Sequence, residues 1–244
     1  DIALTKEAIR VIEPLVREWD GAKADIVAEL DKRDKAKSAG AKTQAFNRAA
    51  SLKVGFLERL KRFRILDPAC GSGNFLYLGL KALKDIEHRV NTECEALGLG
   101  REFPGVGPEN TLGIEINPFA AELARVSVWI GEIQWMREHG FDASRNPILK
   151  SLDNIVCHDA LLNLDGTEYE WPAADAIIGN PPFLGSKWML ERLGQEYTDK
   201  LRDAFADHMT PTSDLVAFWF EKARFKVASG ETAASGFVAT NMIR

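Results

Sequence analysis

Asn180, Pro181, Pro182 and Phe183 stand together directly after the apolar run DAIIG. An exocyclic amine on a heteroaromatic ring is a poor nucleophile, because its lone pair is delocalised into the ring. Two acceptors aimed at its two hydrogens draw that pair back onto nitrogen. The Asn180 side-chain oxygen and the Pro181 carbonyl suit the task, which is positioning and electrostatics with no covalent intermediate. The two prolines stiffen the turn and leave Pro181 without an N–H to compete for partners. Phe183 offers a flat apolar face on which a base could stack once flipped out of a duplex. The same tetrapeptide could be a rigid turn closing on a core phenylalanine. A ligand site upstream decides between the two readings.

Such a site is legible in RILDPACGSGNFLYLGLKAL. An apolar strand ends at Asp67, a small-residue loop follows through Pro68, Ala69, Gly71 and Gly73, and an amphipathic helix opens at Asn74 and Phe75. The glycines let a bulky ligand approach the backbone, and the helix start offers free N–H groups. A second strand, TLGIEINP, ends in Glu115 and Ile116, where a carboxylate can take two ribose hydroxyls. A third, in NIVCHDAL, ends near Asp159, placed to accept from an exocyclic amine, with the Ala160 N–H free for a ring nitrogen. The three strand ends describe an adenosine site. Asn180, at the junction, belongs to both the cofactor set and the catalytic set.

Cys70 lacks a neighbouring base and reads as a small buried residue, not a methyl-accepting nucleophile. Cys157 and His158 have no further ligands at regular spacing, so no metal is expected. Trp129, Ile133, Trp135 and Met136 read as the sheet-facing stripe of a helix. Phe218 or Trp219 could lie against a cofactor ring or pack in the core, and spacing alone does not choose.

Short apolar runs alternating with amphipathic stretches after Lys61 predict strand–helix–strand units around a parallel sheet. Strands are expected at 63–66, 111–116, 154–157, 175–178 and 236–240, with helices from 74 to about 97, 118 to about 138 and 213 to about 228. The stretch 181–212 reads as a partly helical excursion beside the site. Residues 2 to about 60 read as helices interrupted at Gly21 and around Ser38, Ala39 and Gly40, the charge run DKRDKAKSAG being a solvated turn.

With 244 residues and 45% hydrophobic content, the chain has room for one sizeable core and an appendage. Its net charge of -5 gives no basic footprint, so a grip on nucleic acid must be local or supplied elsewhere. Three scattered cysteines and the lack of a signal or membrane-span pattern point to a reducing cytoplasm and no membrane.

LDPACGSGNFL resembles the first motif of the gamma-type amino-methyltransferases, and GIEINPFAAELA their second. The spacing after Gly71 and Gly73 departs from that of dinucleotide sites. SVWIGEIQW, ILKSLDNI, GNPPFLGSKW, SDLVAFWFEKAR and the final ATNMIR are similar to the methyltransferase part of the fused type IIL restriction-modification enzymes. The resemblance implies a Rossmann-like class I α/β core that uses S-adenosylmethionine to methylate adenine N6 in double-stranded DNA. On that reading, residues 1–60 are a helical connector and 61–244 a catalytic core with an incomplete parallel sheet, strands 1 to 5, cut before its last strands and a target-recognition domain. A nuclease domain would belong to the same full-length chain, although no P-D-x(n)-E-x-K pattern precedes residue 60. Alternatives are methylation of a glutamine amide or an RNA base, or a cofactor-binding fragment inactive without its missing C-terminal region.

Overall fold

A computed structural model of the chain describes residues 10–141 and 152–238. After a 3-10 turn, two long helices, α1 (Glu13–Lys35) and α2 (Ala39–Arg62), pack along each other. Gly21 does not interrupt α1. A single glycine costs a helix about 1 kcal/mol, and Trp19 and Ile26, both fully buried, hold the surrounding turns down. The predicted break survives only at 36–38, where the Ser38 side chain accepts the Ala41 N–H at 3.2 Å and caps α2. Gly40 lies inside α2.

Five parallel strands follow: β1 (Ile65–Asp67), β2 (Thr111–Glu115), β3 (Ile155–Cys157), β4 (Ala176–Gly179) and β5 (Ala234–Phe237). Their order is β3-β2-β1-β4-β5, so the chain reverses its direction of travel across the sheet between β1 and β4. Helices α3 (Asn74–Ala96) and α4 (Pro118–Glu138) cross over after β1 and β2. Helices α5 (Ser186–Leu193) and α6 (Gln195–Ala204) form the excursion after β4, and α7 (Leu215–Ala228) leads into β5.

Alternation along the strands builds two cores, because successive side chains point to opposite faces. Ile65, Ala176, Ile178 and Ile155 join the layer of α1 to α4. Leu66, Ile177 and Ile114 join Trp171, Met189, Leu201, Phe205 and Phe218 on the other face.

Strand boundaries shift from expectation for local reasons. β1 begins at Ile65, not Phe63, because α2 runs on to Arg62 and the Asn110 amide closes its end, donating to the Leu60, Lys61 and Phe63 carbonyls at 3.0, 3.1 and 2.8 Å. β4 begins at Ala176 because Asp175 is occupied as a cap, its Oδ2 accepting the Arg64 N–H at 2.8 Å. β5 starts at Ala234, two residues early, and positions 239 and 240 of the expected strand lie outside the described residues. Trp135 does not face the sheet: it packs on α3, donating from Nε1 to Asp85 Oδ1 at 2.7 Å beneath the Lys84 ammonium. No helix among the described residues is long and apolar enough to cross a membrane.

The helices of the N-terminal pair share the core of the sheet. Trp19 packs on Phe56 and donates to Glu93 Oε2 on α3 at 2.7 Å, while Arg59 pairs with Asp175 at 2.9 Å.

Candidate active site

All five strands point their C-terminal ends the same way, and ligands in such sheets bind where the strand order reverses. The loop after β1 carries two left-handed residues, Gly71 (φ 53°) and Gly73 (φ 85°), a conformation that disfavours any side chain. Gly73 also lies so close to α4 that a Cβ there would come within 2.9 Å of the Ala124 backbone. The loop is fastened at three points: Cys70 N donates to Ile114 O at 3.1 Å, Gly71 N to Glu115 Oε2 at 2.8 Å, and the Trp219 indole to Pro68 O at 3.1 Å.

Glu115 ends β2 with each carboxylate oxygen accepting one backbone N–H, Oε2 from Gly71 and Oε1 from Asn117 at 2.8 Å. That fixes the carboxylate while leaving further lone pairs for a ligand. Asn117 in turn caps α4, accepting the Phe119 N–H at 2.9 Å. Asp159, two residues beyond β3, accepts from Leu161 N at 2.8 Å and Leu162 N at 3.3 Å through the same oxygen, Oδ1. The Ala160 carbonyl is taken by the Trp171 indole at 2.7 Å.

Asp67 is different. It is 1% exposed, its Oδ1 accepts the Ala69 N–H at 3.0 Å, and its Oδ2 has no partner among the described residues. Burial pushes its carboxyl up to about 7, the Ala69 hydrogen bond opposes the rise, and the Glu115 charge adds to it. A buried carboxylate without a compensating cation is costly. Gly179, at the end of β4, crosses so near that a Cβ there would meet Asp67 Oδ1 at 2.5 Å.

The strand ends open onto a cavity of about 1020 Å³. Pro68 and Ala69 line it from β1, Glu115 and Ile116 from β2, Asp159 and Ala160 from β3, and Asn180, Pro182 and Phe183 from β4. Thus nine of the residues singled out in the sequence converge on one space. Asp67, Gly71, Gly73 and Pro181 do not line it, and of these Asp67, Gly73 and Pro181 are buried. Asn74 opens α3, and Phe75 packs into the core on the α1 to α4 face; neither lines the cavity. Of the open pair on α7, Trp219 lines the cavity and Phe218 packs edge-on against Phe205 in the core.

Asn180 and Phe183 are exposed to the cavity. Neither the Asn180 side chain nor the Pro181 carbonyl is engaged by any described residue. Burial pushes the Cys70 thiol up, away from any nucleophilic role. Sequence reasoning missed Trp188, Arg192, Leu193 and Tyr197, which also line the cavity. The available signal was the pairing of aromatic and basic residues in SKWMLERL, which begins three residues past Phe183. Burial and the adjacent Asp159 both raise the pKa of the Tyr197 hydroxyl.

A reversing parallel sheet preceded by helices, with carboxylates at its strand ends, is a Rossmann-like class I methyltransferase core. Residues 42–244 match the family described as the MmeI DNA-methyltransferase domain, and the chain belongs to that family. Over 198 residues it is 32% identical to DNA methyltransferase A of Bacillus subtilis, covering 77% of this chain and 22% of that protein. Over 80 residues it is 38% identical to a putative type II restriction enzyme and methyltransferase of Methanocaldococcus jannaschii, covering 32% of this chain and 7% of the relative. The fold is shared with the type IIL restriction-modification enzyme MmeI, whose structure was solved in complex with DNA: TM-score 0.57, 22% identity, 89% of this chain and 28% of the other. The chain therefore spans about a quarter or less of the length of these relatives.

Proposed function

We propose that this region transfers a methyl group from S-adenosylmethionine to the N6 amine of an adenine flipped out of double-stranded DNA, as the methyltransferase part of a restriction-modification enzyme. The observation that carries the reading is the convergence, in one cavity, of Asn180, Pro182 and Phe183 from the turn after β4 with the carboxylates of Glu115 and Asp159. Residues 1–60 would be the connector to a nuclease domain and 61–244 the catalytic core, with most of the grip on DNA supplied by regions beyond it.

The residues present fit S-adenosylmethionine. Asp67 has a buried, unpartnered oxygen and no cation beside it, which suits a ligand bearing an ammonium and a sulfonium. Glu115 is held by two backbone N–H groups in a position to accept ribose hydroxyls, and Asp159 and the Ala160 N–H are available to an adenine edge. When bound, the cofactor supplies an electrophilic methyl group. Asn180 Oδ1 and the Pro181 carbonyl would each accept one N6 hydrogen, concentrating the lone pair on nitrogen, and Phe183 would stack on the base. The loop after β1 and the turn after β4 come close where Gly179 passes Asp67, which supports a cofactor site and an acceptor site lying side by side.

The test is transfer of labelled methyl to DNA, RNA and protein by the full-length gene product. Label in DNA as N6-methyladenine is expected; label in RNA or protein only would overturn the substrate assignment.

A further inference from the structure

The adenosine-binding strand ends and the acceptor turn account for one side of the cavity. The other side is α5, and nothing in the reading so far uses it. This helix is anchored by Met189, which is fully buried, and by the half-buried Leu193, and leaves Trp188 56% exposed in the cavity lining. A tryptophan left in solvent forgoes a large burial gain unless a ligand covers it. One turn further on, Arg192 lines the same cavity and, among the described residues, has no acidic partner.

The helix cannot drift. Its first residue, Ser186, donates its N–H to Asp214 Oδ1 at 2.7 Å, Trp188 N donates to Gly185 O at 2.8 Å, and Leu215 N to Leu184 O at 2.9 Å. Trp188 lines the same cavity as Asn180 and Phe183, and Phe183 is itself 41% exposed. Two exposed aromatic faces with a free guanidinium beside them are what a single extruded nucleotide needs: π-surface for the base and a cation for its phosphate.

Resting on the proposed function, we infer that Trp188 and Arg192 are positioning residues that grip the reacting nucleotide, Trp188 stacking on the base and Arg192 pairing with an adjoining phosphate. Neither touches the transferred methyl group, so the grip acts on binding more than on the chemical step. Tyr197, further along the excursion, adjoins Asp159 and belongs to the cofactor side of the cavity.

The test uses the full-length protein, labelled S-adenosylmethionine and an adenine-bearing single-stranded oligonucleotide beside its duplex. Trp188→Ala is expected to raise KM for DNA about tenfold or more, with kcat changed far less and the Kd for S-adenosylmethionine unchanged; Trp188→Phe should recover most of the loss. Arg192→Gln should raise KM and flatten its dependence on salt. Because both side chains are exposed, thermal unfolding should match wild type. An unchanged KM in both variants would overturn the grip, and so would a cofactor affinity that falls with the KM change, which would place α5 against the cofactor. A wild-type protein that labels no DNA would instead overturn the substrate reading itself.

Discussion

The two halves of the cavity are built in opposite ways. On the β1 to β3 side every acidic side chain is tied to backbone N–H groups and the loop is pinned by Trp219, Cys70 and Gly73. On the β4 side Asn180, Phe183 and Trp188 hold their polar and aromatic faces open. A ligand that stays through many encounters profits from a site already organised, whereas a substrate that must arrive on a long polymer needs unengaged groups and access. The difference predicts that damage to one half should be readable separately from damage to the other.

The sharpest break is Asn180→Ala. Removing one acceptor of the pair should lower kcat about a thousandfold, while calorimetry should show cofactor affinity nearly unchanged. Joint loss of both would mean that the halves are not separable. The mirror experiment is Glu115→Ala, which should weaken cofactor affinity about tenfold to a hundredfold through lost hydrogen bonds to a charged acceptor and leave turnover at saturating cofactor much closer to wild type.

Asp67 gives a subtler handle. Burial holds its carboxyl at about 7 in the folded protein, above the ordinary aspartate value of 3.8. The unliganded protein is therefore favoured when Asp67 is protonated, and that contribution is lost as pH rises from about 4 through 7. A cationic ligand needs the ionised form, so cofactor affinity should rise about tenfold between pH 6 and pH 8 and then level off. Asp67→Asn should bind more weakly, abolish this rise, and unfold at a higher temperature than wild type at pH 8. A pH dependence that persists in the variant would assign the titration elsewhere. The smallest effect concerns thiols: in native protein iodoacetamide should label the exposed Cys157 and spare the buried Cys70 and Cys94 until the chain unfolds, as mass spectrometry would show.

The strands and the helices between them were legible because their periodicities are set by a sheet covered on both faces, and each observed strand overlaps its expected position. The converging ends at Glu115, Asp159 and Asn180 were legible for the same reason, since a strand end is fixed once the strand is. What escaped were features that depend on distant partners. Gly21 looked like a break because local propensity ignores the burial of Trp19 and Ile26. Phe75 looked like a cofactor contact because its place in the loop is suggestive, yet helix geometry turns it into the core. The excursion carrying Trp188, Arg192 and Tyr197 was placed beside the site, but which of its side chains line the cavity depends on how its helices pack, which their spacing does not state.

That excursion leaves the turn at Leu184 and returns at Asp214 and Leu215, and at that point its two ends are hydrogen-bonded to each other. A loop stitched at its base can change length and composition at a modest entropic cost without moving the residues on which it is mounted. Relatives could therefore lengthen, shorten or rewrite 187–213 while Asn180 and Phe183 stay in place, making this stretch the natural place to vary the cavity lining around an unaltered turn.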